Sequence, residues 1–382
     1  MVENMNPKLV LQLKKVGYWL FLLPLALPFI SFALIQEFGY ANLFAWFTLF
    51  VVFGVIPVLD YIVGQDPVNP DEQAEVPALS SEKYYRFLTL MVVPAQLVLT
   101  VGGAFMWAQL WDQLNLLGHL GWLVSVGVAS GAVAITVGHE LTHKDELLEQ
   151  LAGGFLLSMV TYGGFKVEHI RGHHVTVSTP EDASSARYGQ SLYAFLPHAW
   201  KHNFLNAWKL EARELRRRGH SPFSLRNELI WWYGISAAFL AGFTVAFGWK
   251  GAVYFALTSF IAFTTLEVIN YVEHYGLHRR KLENGKYERT TIHHSWNSNY
   301  LLTNLILFHL QRHSDHHAYA KRRYQVLRHH DESPQLPLGY AGMFVLAFIP
   351  PLWYRVMNPR VKAYYANEEH QLTADQVKAQ AA

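Results

Sequence analysis

The residues best suited to chemistry are histidines gathered in three clusters. The first is His139-Glu140-Leu141-Thr142-His143. The second is Glu168-His169-Ile170-Arg171-Gly172-His173-His174. The third is His313-Ser314-Asp315-His316-His317. A further histidine, His274, follows Glu273 at the end of an apolar run. On a helix, positions i, i+3 and i+4, or i, i+4 and i+5, share a face, so each cluster can aim two or three imidazoles at one point. Eight cluster histidines and His274 make nine. A tetrahedral zinc takes four ligands and a catalytic zinc three. Nine imidazoles suit two metals with four or five nitrogens each. Imidazole accepts zinc, copper, iron and nickel, so ligand type alone does not choose among them.

The elements that must position these residues are apolar helices. Hydrophobic residues make up 51% of the 382, aromatics 15% and charged residues 16%, against about 25% charged in ordinary globular domains. Twelve tryptophans and twenty tyrosines suit a protein with two membrane–water interfaces, where amphipathic rings collect. The net charge of +2 leaves no electrostatic footprint for nucleic acid. The absence of cysteine excludes disulfides, thiolate metal sites, iron–sulfur clusters and a cysteine nucleophile. The first apolar run lacks a small-residue cleavage pattern, which argues against a removable signal peptide.

Hydropathy predicts an all-α integral membrane protein forming a single catalytic domain over residues 1–382. Six transmembrane helices are expected at about 18–36, 42–64, 85–111, 121–139, 229–247 and 252–272. Gly127-x-x-x-Gly131 lets the fourth helix approach its neighbours closely and marks it as central. Residues 151–165 and 338–354 are apolar but too short to span, and read as interfacial or re-entrant. Residues 139–228 and 273–360 form a helical cap that holds the dimetal site, and 367–382 form a polar tail. Lysine and arginine set the orientation. Eleven fall between Glu140 and Asn227, whereas the loops after spans one, three and five hold almost none apart from Lys250. The N-terminus, the cap and the C-terminus are therefore expected on the cytoplasmic side, with every histidine cluster.

A ligating imidazole usually donates its other N–H to a carboxylate or carbonyl. Glu140, Glu168, Asp182, Glu273 and Asp315 are candidates for that outer role, with His293 and His294. His278 and His309 each lie four residues from a proposed ligand and compete with it. His198 and His202 read as surface residues, and His119 falls on the opposite side of the membrane.

HELTHK, EHIRGHH and LQRHSDHHA resemble the three histidine boxes of the membrane-bound, histidine-rich di-iron family that includes fatty-acid desaturases and hydroxylases. NYVEHYGLHR, followed by HHSWNSN, is similar to the alkane 1-monooxygenase branch. The resemblance implies two non-haem irons held by His139, His143, His169, His173, His174, His274, His313, His316 and His317. It implies O2 as co-substrate, and hydroxylation of the terminal methyl of medium-chain n-alkanes to 1-alkanols. Such a substrate would enter from the bilayer; spans two, three and six are expected to line its path. Rubredoxin, fed by a rubredoxin reductase, would supply electrons. Its four-cysteine site is not in this chain, so the donor must be a separate chain or domain. Basic clusters at Arg216, Arg217 and Arg218, at Arg279, Arg280 and Lys281, and at Lys321, Arg322 and Arg323 are candidates for steering an acidic donor. The expected location is the bacterial inner membrane.

Rival readings remain at this point. His-Glu-x-x-His is also the zinc-protease signature, with Glu140 as general base; that reading leaves seven histidines idle. A fatty-acyl desaturase or another hydroxylase of the same superfamily would share the boxes. A metal transporter would place its ligands mid-membrane along a pathway.

Overall fold

The structure is a computed structural model and describes residues 6–366; the expected polar tail, 367–382, lies outside the described residues. Among the described residues there is no β-strand beyond isolated bridges. The principal helices are α1 (Pro7–Phe38), α2 (Phe47–Val63), α3 (Lys83–Gln113), α4 (Leu116–Thr142), α5 (Leu147–Ser158), α6 (165–176), α7 (Leu192–Arg217), α8 (Glu228–Phe247), α9 (Trp249–His274), α10 (Leu301–Ile306), α11 (His313–Ala318), α12 (Tyr340–Ala347) and α13 (Pro350–Tyr365). Five of them, α1, α3, α4, α8 and α9, are long and apolar enough to cross a membrane.

The expected second span is the exception. Only α2 forms there as a continuous apolar helix, and it is too short to rank with the five. The chain around it nevertheless runs the length of the bundle. Asn42 accepts the backbone N–H of Asn115, at the start of α4 (2.8 Å). Asp66, at the other end, pairs with Lys14 (2.6 Å) near the start of α1.

Helix α4 is the axis, with 83% of its apolar window buried. Its glycines let α9 come close, as expected. A Cβ on Gly131 would lie 2.6 Å from the Ala262 carbonyl oxygen, and one on Gly127 would lie 2.6 Å from Ile261 Cβ. Small residues at such a crossing let backbones approach within contact distance. Hydroxyl and amide groups add polar ties: Gln96 donates to Ser130 Oγ (2.9 Å), and Ser125 to the Ala45 carbonyl (2.8 Å).

Three π-helical turns interrupt this framework, at Val51–Val55, Gly131–Ile135 and His169–His173. Such turns bond i to i+5 and concentrate at functional sites. Residues of the first two line one apolar cavity, and the third carries histidines of the second cluster. The short apolar segments also take shape: 151–165 ends α5 and turns through Thr161 (φ 53°) into α6. The segment 338–354 breaks at Pro350 into α12 and α13.

Candidate metal centre

The nine histidines converge from four directions on one end of the bundle. His139 ends α4, and His143 follows it one turn later. His274 ends α9. The remaining six come from α6 and α11. They form two groups in which every candidate nitrogen lies within 4.8 Å of the others: His139, His143, His169, His174 and His316, and His173, His274, His313 and His317. In the first group, Nε2 atoms face one another: His143 to His169 at 3.0 Å, His169 to His174 at 3.0 Å, and His174 to His316 at 3.2 Å. In the second, the distances are 3.3 Å for His173–His317, 3.3 Å for His274–His313 and 2.9 Å for His313–His317.

The second cluster divides unexpectedly. An α-helix would put His169 and His173 on one face. Instead the π-helical turn places His169 and His174, five apart, together, and sends His173 to the other group. In α11, His313 and His317 share a group by their four-residue spacing, and His316 faces the other.

This donor set fits metal ions. Buried polar atoms ordinarily find hydrogen-bond partners, yet His139 Nε2 is buried with none. The remaining Nε2 atoms meet chiefly one another. A cation placed between nitrogens packed in this way would take up their lone pairs. Burial holds His143, His169, His174, His313, His316 and His317 well below the ordinary imidazole range, so they are neutral and ready to ligate. His173 differs. Burial disfavours its charge, but Asp182, Glu168 and Glu273 outweigh that and raise its pKa.

Of the candidate outer partners, Asp182 has the expected geometry. Its Oδ2 accepts from His173 Nδ1 (2.9 Å) and from Ser185 Oγ (2.6 Å). Glu273 instead points into the second group, with Oε2 3.2 Å from His313 Nε2, and accepts from Tyr340 OH at 2.6 Å. Glu168 accepts from Asn206 (3.3 Å), and burial raises its pKa to about 8. Asp315 organises the loop that follows, accepting the Arg328 N–H (3.0 Å) and facing His330 Nε2 (2.9 Å). His293 meets Tyr364 (2.8 Å), and His294 meets Glu288 (3.3 Å). Glu140 accepts from Lys144 Nζ (2.8 Å) and from the Tyr324 N–H (3.1 Å). A carboxylate held by those donors is not poised as the base of a zinc protease.

The competing histidines lie elsewhere. His278 stacks on Tyr365 at 4.3 Å. His309 meets Tyr18 OH at 3.1 Å. It sits in a strained turn, because Phe308 and His309 both have positive φ (48° and 57°), a conformation costing about 1–3 kcal/mol per residue. A buried ion network holds this turn. Asp66 Oδ2 takes Lys14 Nζ (2.6 Å) and Arg312 Nη2 (2.8 Å), and Arg312 also donates to Asn299 (3.0 Å) and the Leu327 carbonyl (2.7 Å). Arg312 directly precedes His313, so the network fixes where the third cluster begins. Sequence reasoning passed over Arg312, Asp66, Lys14 and Tyr340; only the charge of Lys14 and Asp66 near predicted span ends gave a signal.

Among the basic candidates, Arg279 is buried and donates to the Val175 and Glu288 carbonyls (2.7 and 3.2 Å), so, contrary to expectation, it does not present its charge at the surface. Arg216 and Lys281 are exposed. Arg217 and Arg218 pair with Glu214, Arg280 with Glu288, Lys321 with Asp145, Arg322 with Glu72, and Arg323 with Glu149.

A narrow apolar cavity runs beneath the histidines, lined in part by Val52, Ile56, Val128, Ala132, Ile269 and Ala341. A small void continues from Thr136 and Leu310 to His139 and His316. Span three does not line the cavity, contrary to expectation; α4 lies at the bundle axis and contributes the wall instead.

Residues 114–347 match the fatty acid desaturase family; the apolar helical bundle and its histidine clusters are those of a desaturase-like membrane oxidoreductase. Over 379 residues the chain is 62% identical to alkane 1-monooxygenase 2 of Pseudomonas aeruginosa, covering 98% of this chain and 100% of that one. It is 58% identical to alkane 1-monooxygenase 1 of the same organism, over the whole of both chains. With alkane 1-monooxygenase 2 of Alcanivorax borkumensis the identity is 57%, over 98% of each. The chain belongs to the alkane 1-monooxygenase family.

Proposed function

We propose that this enzyme hydroxylates the terminal methyl of medium-chain n-alkanes, forming 1-alkanols from O2 with electrons from rubredoxin. The observation that carries this reading is the apolar cavity whose narrow end reaches His139 and His316 of the five-histidine group. The nine histidines would hold two irons, five of them offering nitrogens to one and four to the other. Bound iron supplies the oxygen chemistry that side chains lack: one atom of O2 enters the C–H bond, and the other leaves as water with two electrons and two protons.

The chain's own residues bind, orient and exclude water. An alkane has no polar handle, so its affinity comes from burial, about 0.8 kcal/mol per CH2, and terminal selectivity comes from the narrow end of the cavity at Thr136 and Leu310. Asp182 keeps the His173 ring oriented through Nδ1, leaving Nε2 for the metal.

The chain crosses the bacterial inner membrane six times, with α2 as a short second crossing. Its helical length of about 26 Å falls a little below the hydrocarbon thickness of about 30 Å, which the flanking turns make up. The histidine end and both termini face the cytoplasm, following the positive charge. Rubredoxin docks there, drawn to exposed basic residues such as Arg216 and Lys281. Given reduced rubredoxin and O2, the purified metal-loaded chain should convert octane to 1-octanol. Absence of a terminal alcohol, with hydroxylation or desaturation of an acyl substrate instead, would contradict this function.

A further inference from the structure

Beside the inner cavity lies a second, outer pocket, open to its surroundings and lined by apolar side chains. Phe260, Val345, Phe348 and Ile349 on its rim are 38–47% exposed, and they sit where a bilayer would meet the bundle. The two spaces share four lining residues: Phe53, Val128, Thr265 and Phe344. Between them, the rings of Phe53 and Phe344 are stacked, with centroids 4.6 Å apart and an interplanar angle of 15°.

The two sides of this neck differ in rigidity. Val128 and Thr265 belong to α4 and α9, whose backbones touch through Gly127 and Gly131. The two rings stand on less regular elements. Phe53 is the central residue of a π-helical turn, and Phe344 sits on the eight-residue α12, which is cut off from α13 at Pro350. Motion at the neck therefore falls to the rings. A ring stack adds little beyond the area it buries, so it can open thermally and reclose.

We propose that the stacked Phe53–Phe344 pair is a gate between the membrane-facing pocket and the inner cavity, selecting hydrocarbons by thickness. An unbranched chain slips through when the rings part; a cyclic or branched one is held in the outer pocket. This rests on the alkane reading above, and it adds a filter distinct from the length limit set by the inner cavity.

The test is photolabelling in lipid nanodiscs with two aliphatic diazirine probes of equal carbon number, one unbranched and one ending in a cyclohexyl ring. Mass spectrometry then separates insertion at inner-cavity residues (Ala132, Ile269) from insertion at outer-pocket residues (Phe348, Ile349). The native chain should take the unbranched probe at both places, and the cyclic probe at the outer place with about tenfold less inner labelling. Phe344→Leu and Phe53→Leu should bring the cyclic probe into the inner cavity, and Phe344→Trp should slow the unbranched one. Equal inner labelling by both probes in the native chain, or a ratio unmoved by any of the three variants, overturns the gate. Competition by decane separates the two claims. If decane fails to displace the unbranched probe from the inner cavity, the alkane reading falls too; if it displaces the probe while the ratio stays fixed, only the gate falls.

Discussion

His169 Nε2 and His174 Nε2 lie 3.0 Å apart although five residues separate them. The π-helical turn His169–His173 makes this possible, and the same turn swings His173 into the neighbouring group. One six-residue segment thereby feeds both groups and ties them together.

The groups hold unequal numbers of nitrogens, and this has a measurable consequence. His316→Ala leaves four imidazoles in its group, enough for a closed coordination shell, whereas His313→Ala leaves three. Elemental mass spectrometry should find His316→Ala keeping both metals and His313→Ala losing the second. Equal losses would mean that the groups do not bind independently.

Asp182→Asn should weaken metal retention about 10–100-fold, the usual effect of removing the acceptor behind a ligand imidazole. The measurement is metal content against chelator concentration. Asp182→Glu should recover part of the loss if orientation of His173 is what matters.

Asp66 holds two cations in a buried network, so Asp66→Asn leaves Lys14 and Arg312 uncompensated. Breaking such a pair from one side costs about 3–5 kcal/mol, which a lowered thermal unfolding temperature would report. Burial works against the charge of Asp66, but Arg312 and Lys14 overcome it and hold its pKa below the ordinary carboxylate value. A depressed folded pKa contributes stability that is complete above the unfolded value and is lost as pH falls through the lower folded one. The native network should therefore persist at mildly acidic pH and fail only in strong acid.

Spacing singled out the eight cluster histidines that converge, because His-x-x-x-His pairs on helices have few arrangements open to them, whereas His274 stood apart and joined them through the resemblance of its segment to alkane 1-monooxygenases. Spacing could not divide them between two groups, since the division depends on a π-helical turn that periodicity does not reveal. The central place of α4 was legible in Gly127 and Gly131. The shortness of α2 was not, because the apolar run continues through a turn at Ala45 and Trp46 that hydropathy ignores. Arg279 looked like surface charge in sequence and proved buried, satisfied by carbonyls more than a hundred residues away as well as nearby. Tyr340 carried no local signal at all; its link to Glu273 is purely tertiary.

The cavity wall offers a direct test of chain-length selection. Ala132→Phe and Ala341→Phe add bulk without removing a polar contact, and each should shift the preferred alkane to shorter chains. Every carbon excluded costs about 0.8 kcal/mol of burial, or about fourfold in kcat/KM. An unchanged product profile across both variants would place the substrate elsewhere.

The central claim is that the two histidine groups form a di-iron centre that oxygenates an alkane terminus. The most direct measurement combines iron content with isotope incorporation in one preparation, supplied with reduced rubredoxin, octane and 18O2. The account predicts two irons per chain and 1-octanol carrying a single 18O. One zinc per chain with no labelled alcohol would contradict it.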